Sequence, residues 1–442
     1  MWGKVLIGLV GMAIGVCMYG IPSVPDVDSA SYLAMADGRM AEVVRPYANR
    51  VLHPLVVRWT GGSFEAVAAV SLVVALILLA GLLRLNSDLA KARKKDGARH
   101  EEAIGGACLV CAPFFCSYLV EIYLADLLVM ALTAMFFLCL YKEYWVWTLL
   151  LLFLMQTARE STVVVALALI TVALWRHRWC FAGCVLGVLM CAMATVSFLS
   201  RESPGNIHAM SGFVYIGAKV FSNGLANLLG VTVWSDIYAR VLPHFYPEAP
   251  LWQTVVPMWL PLGGIKAVGV YAVDGWRPVE VFVILASAFG ILPTVLLKWL
   301  KPRIGMIRGQ SFDAEKMPNA VVVAGLTGFV FFLLAPFSGR SVLRLVGYAW
   351  PLFWFALPWL IQRGNRLNNN TLSAGGERSV VKNALFGQKK IWVLHLVCMW
   401  WPVLLVRMQM PREMVCLLGL AGVIACHFVT SFRLLAVTEQ EC

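Results

Sequence analysis

The chain predicts an all-α, polytopic bundle of about twelve membrane-spanning helices with two large exterior loops. Three observations carry that reading. Of 442 residues, 60 % are apolar and 14 % charged, against roughly 45–50 % and about 25 % in soluble domains. Mean hydropathy is +0.77. A span takes about 20 mostly apolar residues, so a dozen would use roughly 240, close to the apolar content of the chain. Soluble-enzyme, disordered, collagen-like and disulfide-scaffold classes are excluded.

Taken in order, apolar runs bounded by charge, Pro or Gly place spans near 4–21, 65–84, 103–119, 124–141, 144–158, 161–175 and 179–199. A second series follows near 279–298, 319–337, 345–362, 391–407 and 413–430. Met1 to Lys4 is a short basic flank on an apolar stretch with no small-residue cleavage site, read as a retained first span with its N-terminus inside. From that start the spans alternate so that the Lys/Arg-rich loops 84–102 and 363–390 fall on the cytoplasmic side. The net charge of +12 is therefore explained by topology, and no nucleic-acid partner is implied.

Three regions follow. Residues 1–199 form an N-terminal transmembrane module, with the first exterior loop at 22–64. Residues 200–278 are the second exterior loop, rich in Pro, Trp and Tyr and read as a folded cap. Within it Gly217–Val231 has near-helical apolar spacing and suits the membrane interface. Residues 279–442 form the C-terminal module, interrupted by a polar linker at 363–390. None of the twelve cysteines lies in an exterior loop, and Cys108-x-x-Cys111 sits in an apolar run. Cysteine reads as a small apolar helix residue here.

The first exterior loop carries the most chemistry. Asp26 and Asp28 follow directly after the first span, where ionised groups are costly and mark pathways or active sites. In extended backbone their carboxylates would share a face; in a helix they would diverge. Paired carboxylates also suit a hard cation such as magnesium or manganese. Tyr32, Arg45, Arg50 and His53 follow in the same loop.

Pro25-Asp-Val-Asp with Tyr32-Leu, Ala36 and Gly38, then Tyr47-x-x-Arg50-x-Leu52-x-Pro54, resembles the GT-C superfamily of integral-membrane glycosyltransferases, bacterial members included. Those enzymes take sugar from a polyprenyl-phosphate carrier and place an acidic motif in the first exterior loop. The resemblance implies a second acidic position near the third-to-fourth span connection, where Glu121 and Asp126 stand. Arg159-Glu160 falls at the next exterior junction, and Arg340 and Arg344 at a later one. The specific motifs cover about a tenth of the chain.

The chemistry of glycosyl transfer asks for these residue types. A carboxylate deprotonates the acceptor hydroxyl, a second acid supports oxocarbenium character, and guanidiniums meet the departing phosphate, which Arg binds bidentately without losing charge. The expected roles are Asp28 as base with Asp26 as its alternative, and Asp126 or Glu121 as the assisting acid. Arg50, Arg340 and Arg344 would sit on the phosphate, with Arg45, His53, Tyr32, Arg159 and Glu160 also lining the substrate site. Bland roles fit several of these as well. Arg159-Glu160 suits a helix-end turn, His53 a local hydrogen bond before Pro54, and Arg340 with Arg344 either a shared helix face or snorkelling to headgroups.

The implied function is transfer of a sugar from a polyprenyl-phosphate donor to a glycan, lipid or protein acceptor, at the outer face of a bacterial inner membrane. A transporter or flippase of lipid-linked sugars is the alternative. It would place its charges within the spans, whereas here they gather at span ends.

Overall fold

A computed structural model describes residues 27–43, 47–90, 112–120, 123–203, 217, 220–235, 254–256, 268–297, 317–339, 341–360 and 389–439. Among the described residues the structure is helical apart from one small antiparallel sheet. The expected first span at 4–21, most of that at 103–119, and the linker 363–390 up to residue 388 lie outside the described residues.

The segment expected as the first exterior loop contains α1 (Val27–Ala36) and α2 (Leu52–Trp59), with short 3-10 turns at Met40–Glu42 and Tyr47–Asn49 between them. The helix α3 (Phe64–Ala90) leaves α2 at a bend of 110°. Gly61 and Gly62, at φ +88° and +86°, permit that bend, since other residues pay sterically in the left-handed region. Then come α4 (Pro113–Val120), α5 (Asp126–Tyr141), α6 (Trp145–Ala158), α7 (Val163–Trp175) and α8 (Trp179–Leu199).

Among the described residues, three helices are long and apolar enough to cross a membrane: α8, Asn319–Ser338 and Arg412–Phe432. The bent pair α2–α3 makes a fourth if taken as one span. The helices α5 and α6 have 16 and 14 residues, or about 24 and 21 Å at 1.5 Å per residue, less than a hydrocarbon core of about 30 Å. Leu186, Met190, Met193, Phe428 and Phe432 are all more than half exposed on long apolar helices. Such surfaces are at home in lipid, and the protein is membrane-associated.

In the segment expected as the second exterior loop, residues 220–224 and a π-helical turn at Leu225–Leu229 lead into β1 (Val231–Ser235). The apolar run 217–231 is thus helical only to Leu229. Leu228 and Leu229 face outward while Ala226 and Asn227 are buried. With β2 (Thr254–Val256) and β3 (Val268–Val273), β1 forms a sheet of order β1-β3-β2, antiparallel throughout. Alternating β-branched residues in Val231-Thr-Val and Val268-Gly-Val account for strand here.

Two expected spans are interrupted. The run 279–298 divides into α9 (Arg277–Ser287) and a shorter helix at 292–297, with turns at 288–291. After α10 (Asn319–Ser338), the run 345–362 divides into α11 (Val342–Gly347), a π-helical segment at Pro351–Ala356 and a helical end at 357–360. Pro351 has no N–H to continue the ladder. The last two helices are α12 (Lys389–Arg407) and α13 (Arg412–Glu439).

One core joins α3 to α7 with α9, α10 and the Pro351–Ala356 segment. Aromatic rings knit it: Phe289 stacks on Phe353 at 4.3 Å, and Phe114 meets Trp354 at 5.4 Å. Because α5 and α6 are joined by only Lys142–Tyr144, the start of α5 and the end of α6 lie at the same end of the bundle. Asp126, Arg159 and Glu160 stand at that end.

Candidate functional site

The residue Asp126 opens α5 fully buried, where an unpaired carboxylate would be severely penalised. Its partners arrive from two other parts of the chain. Arg159 Nη1 and the Tyr348 hydroxyl both donate to Asp126 Oδ1, and Arg344 Nε stands 3.6 Å from Oδ2. The Arg159 guanidinium also lies over the Tyr348 ring, 4.9 Å from its centroid. Behind Arg344, the Tyr118 hydroxyl donates to its backbone carbonyl at 2.7 Å.

The junction between α6 and α7 explains how neighbours serve two partners. Arg159 is extended, at φ −161° and ψ 127°, and successive side chains on extended backbone point apart. Arg159 turns to Asp126, while Glu160 turns to the segment before α2. There Arg50 donates through Nε to Glu160 Oε2 at 2.8 Å and through Nη2 to Oε1 at 2.7 Å, a two-pronged fork. Its remaining nitrogen, Nη1, donates to the Tyr32 hydroxyl at 2.8 Å.

Desolvation at the junction pushes the Glu160 carboxyl upward. The Arg50 charge and hydrogen bonds, with Arg159 behind them, outweigh it and hold the pKa at about 2. The Tyr32 hydroxyl is raised, chiefly by burial and against the pull of Arg50 and Arg159, and stays a neutral phenol.

Tyr32, Arg50, Asp126, Arg159, Glu160 and Arg344 therefore meet in one cluster drawn from α1, the residues just before α2, α5, the α6–α7 junction and α11. Among the described residues it holds three guanidiniums and two carboxylates. His53 is buried beside it, its ring edge-on to Phe64 at 5.5 Å and 6.3 Å from Tyr32.

Asp26, Arg45, Glu121 and Arg340 lie outside the described residues, and of Asp28 only the backbone is described. That backbone is helical, in the first turn of α1. Of the two geometries open to the Asp26/Asp28 pair, the extended one does not hold at residue 28. The helix face expected for Arg340 and Arg344 falls at Arg340 outside the described residues; α10 ends at Ser338, and α11 begins only at Val342, after Ser341 at ψ 65°.

Among the described residues no group of three or more His, Cys, Asp or Glu is arranged to hold a metal ion. The magnesium or manganese expectation rests on Asp26 and Asp28, whose carboxylates are not in that set. No disulfide links the cysteines among the described residues, and Cys108 and Cys111 lie outside them.

Tyr118 and Tyr348 are not among the site residues expected from sequence. Tyr348 stands in the Tyr348-Ala-Trp-Pro351 string beside Arg344, whereas Tyr118 lies in an apolar run where tyrosine reads as core or interface. No protein-family model, curated protein or solved structure matches the chain.

Proposed function

We propose that the protein is a polytopic membrane glycosyltransferase of the GT-C type. In this reading it has about twelve spans, a cytoplasmic N-terminus and a site at the outer face of a bacterial inner membrane. It moves a sugar from a polyprenyl-phosphate donor to a glycan, lipid or protein acceptor. The observation that carries the reading is the convergence of the first exterior loop with three distant span ends on one cationic cluster. A bundle that only needed to sit in lipid has no use for guanidiniums gathered from such distant stretches.

In this reading Asp28 accepts the proton of the acceptor hydroxyl. The acceptor oxygen bonds to the anomeric carbon, and the bond from that carbon to the phosphate oxygen breaks, its electron pair leaving with the polyprenyl phosphate. Arg50 and Arg344 stabilise the charge that develops there. Asp28 lies one helical turn before Tyr32 on α1, and positions four apart share a helix face. Tyr32 holds Arg50, which brings the acid's position and the phosphate's partner to one side of the loop. Asp126, with no exposed surface, orients Arg159 and Arg344 instead of meeting the acceptor.

The test is sugar transfer by the full chain in vesicles loaded with polyprenyl-phosphate glucose, mannose or arabinose. Asp28→Asn should lower transfer by about 10²–10⁴-fold, the usual share of a general base, with unchanged assembly and thermal stability. Full activity in both Asp26→Asn and Asp28→Asn removes the assignment. Movement of lipid-linked sugar across the bilayer without transfer favours a flippase.

A further inference from the structure

A second polar cluster sits on the exterior cap, outside the site described above. Its centre is Asn227, fully buried in the π-helical turn before β1. The side-chain amide donates to the backbone carbonyls of Pro336, at 2.6 Å, and Gly339, at 2.9 Å. These carbonyls stand at the end of α10, where the last helical turn has no N–H groups of its own to meet them. Oδ1 of Asn227 accepts from Arg277 Nε at 2.9 Å. Arginine has no acceptor, so this bond fixes the amide with its NH2 group toward the α10 carbonyls.

The fit around Asn227 is tight. A Cβ on Gly224 would come within 2.7 Å of the Phe337 ring, so the cap is seated directly on the end of α10. Arg277 is braced in turn by Glu280 at 3.0 Å, and Glu280 shares Arg412 with Asp274 at 2.7 and 2.8 Å. The chain from Pro336 to Gly339 continues within two residues into α11, which carries Arg344.

We infer that Asn227 is a positioning residue: the exterior cap uses its amide to fix the α10–α11 turn, and through it the placement of Arg344 in the cationic cluster. Its consequence for substrate rests on the glycosyltransferase reading; its consequence for the turn does not. The cap is on this account a part of the phosphate site's scaffold as well as a cover. Asp at 227 keeps the shape and the bond to Arg277 but turns an acceptor on two carbonyl oxygens.

The experiment uses the full chain in lipid nanodiscs, with undecaprenyl phosphate as the probe. In Asn227→Asp, amide hydrogen exchange across 339–347 should quicken about tenfold or more, a loss on the scale of one or two buried hydrogen bonds. Exchange across 126–162 should stay at the wild-type rate, and the apparent Kd for the probe should rise about tenfold. Asn227→Ser, which keeps a single donor, should fall between the two, and it replaces the Asp variant if that one fails to assemble. Unchanged exchange at 339–347, or a rise spread evenly over the chain, overturns the positioning role. Local loosening with unchanged affinity, in a protein that binds the probe, overturns its link to the site. A wild type that does not bind the probe removes the functional reading alone, and the exchange result then decides the role of Asn227 by itself.

Discussion

Two ion-pair networks among the described residues are similar in composition and different in environment. In the inner one the side chains of Asp126 and Arg159 are 1 % and 5 % exposed. In the outer one Arg412 and Asp274 are 47 % and 37 % exposed. Both join segments more than thirty residues apart, so both look equal as a list of contacts. Physically they are not. An exposed pair gains little beyond what water already gives each charge. A buried carboxylate must have its partners or it destabilises the fold. The inner network is held by necessity, the outer one by convenience.

The comparison is broken most directly at Asp126. Asp126→Ala leaves Arg159 buried with its main counter-charge gone, and should cost on the order of 3–5 kcal/mol of stability. Thermal unfolding of the purified protein would show it as a large fall in Tm. Next in size is acid sensitivity at Glu160, whose side chain is 45 % exposed, so that solvent screening trims the stability its pairing contributes. Its folded pKa of about 2 lies below the ordinary carboxylate value of 4.5. The stability it contributes is therefore complete above about pH 4.5 and is lost as pH falls toward 2. A Tm profile against pH should show this decline in the wild type, and Glu160→Gln should remove that component. At the small end, Arg412→Gln in the outer network should change stability by about 1 kcal/mol or less. An Arg412 effect as large as that of Asp126 would erase the distinction between the networks.

Much of the inner network was legible in the residues themselves. Asp126, Arg159, Glu160 and Arg344 stand out because charges at the ends of apolar runs need a reason to be there. Arg50 and Tyr32 stand out through their motif. What sequence did not reveal was the pairing. That Arg50 faces Glu160, 110 residues away, depends on how the segment between α1 and α2 folds back. Asn227 does not stand out in the apolar run 217–231, because its carbonyl partners lie 109 and 112 residues away and nothing local marks them. The helix breaks were missed for a different reason. Ser287 to Ile291 is as apolar as its flanks, so hydropathy reads through a turn that backbone geometry imposes. The short helices α5 to α7 keep the span count a proposal, because length alone does not carry them across a bilayer.

The central claim is that guanidiniums from separate parts of the chain serve one lipid-phosphate site. It is tested most directly by titrating undecaprenyl phosphate into the nanodisc-embedded wild type, Arg50→Gln and Arg344→Gln. The account predicts saturable binding by the wild type and a loss of about tenfold or more in each variant, the scale of one charge-assisted contact. Equal affinity in all three proteins, with the variants folded, would contradict it.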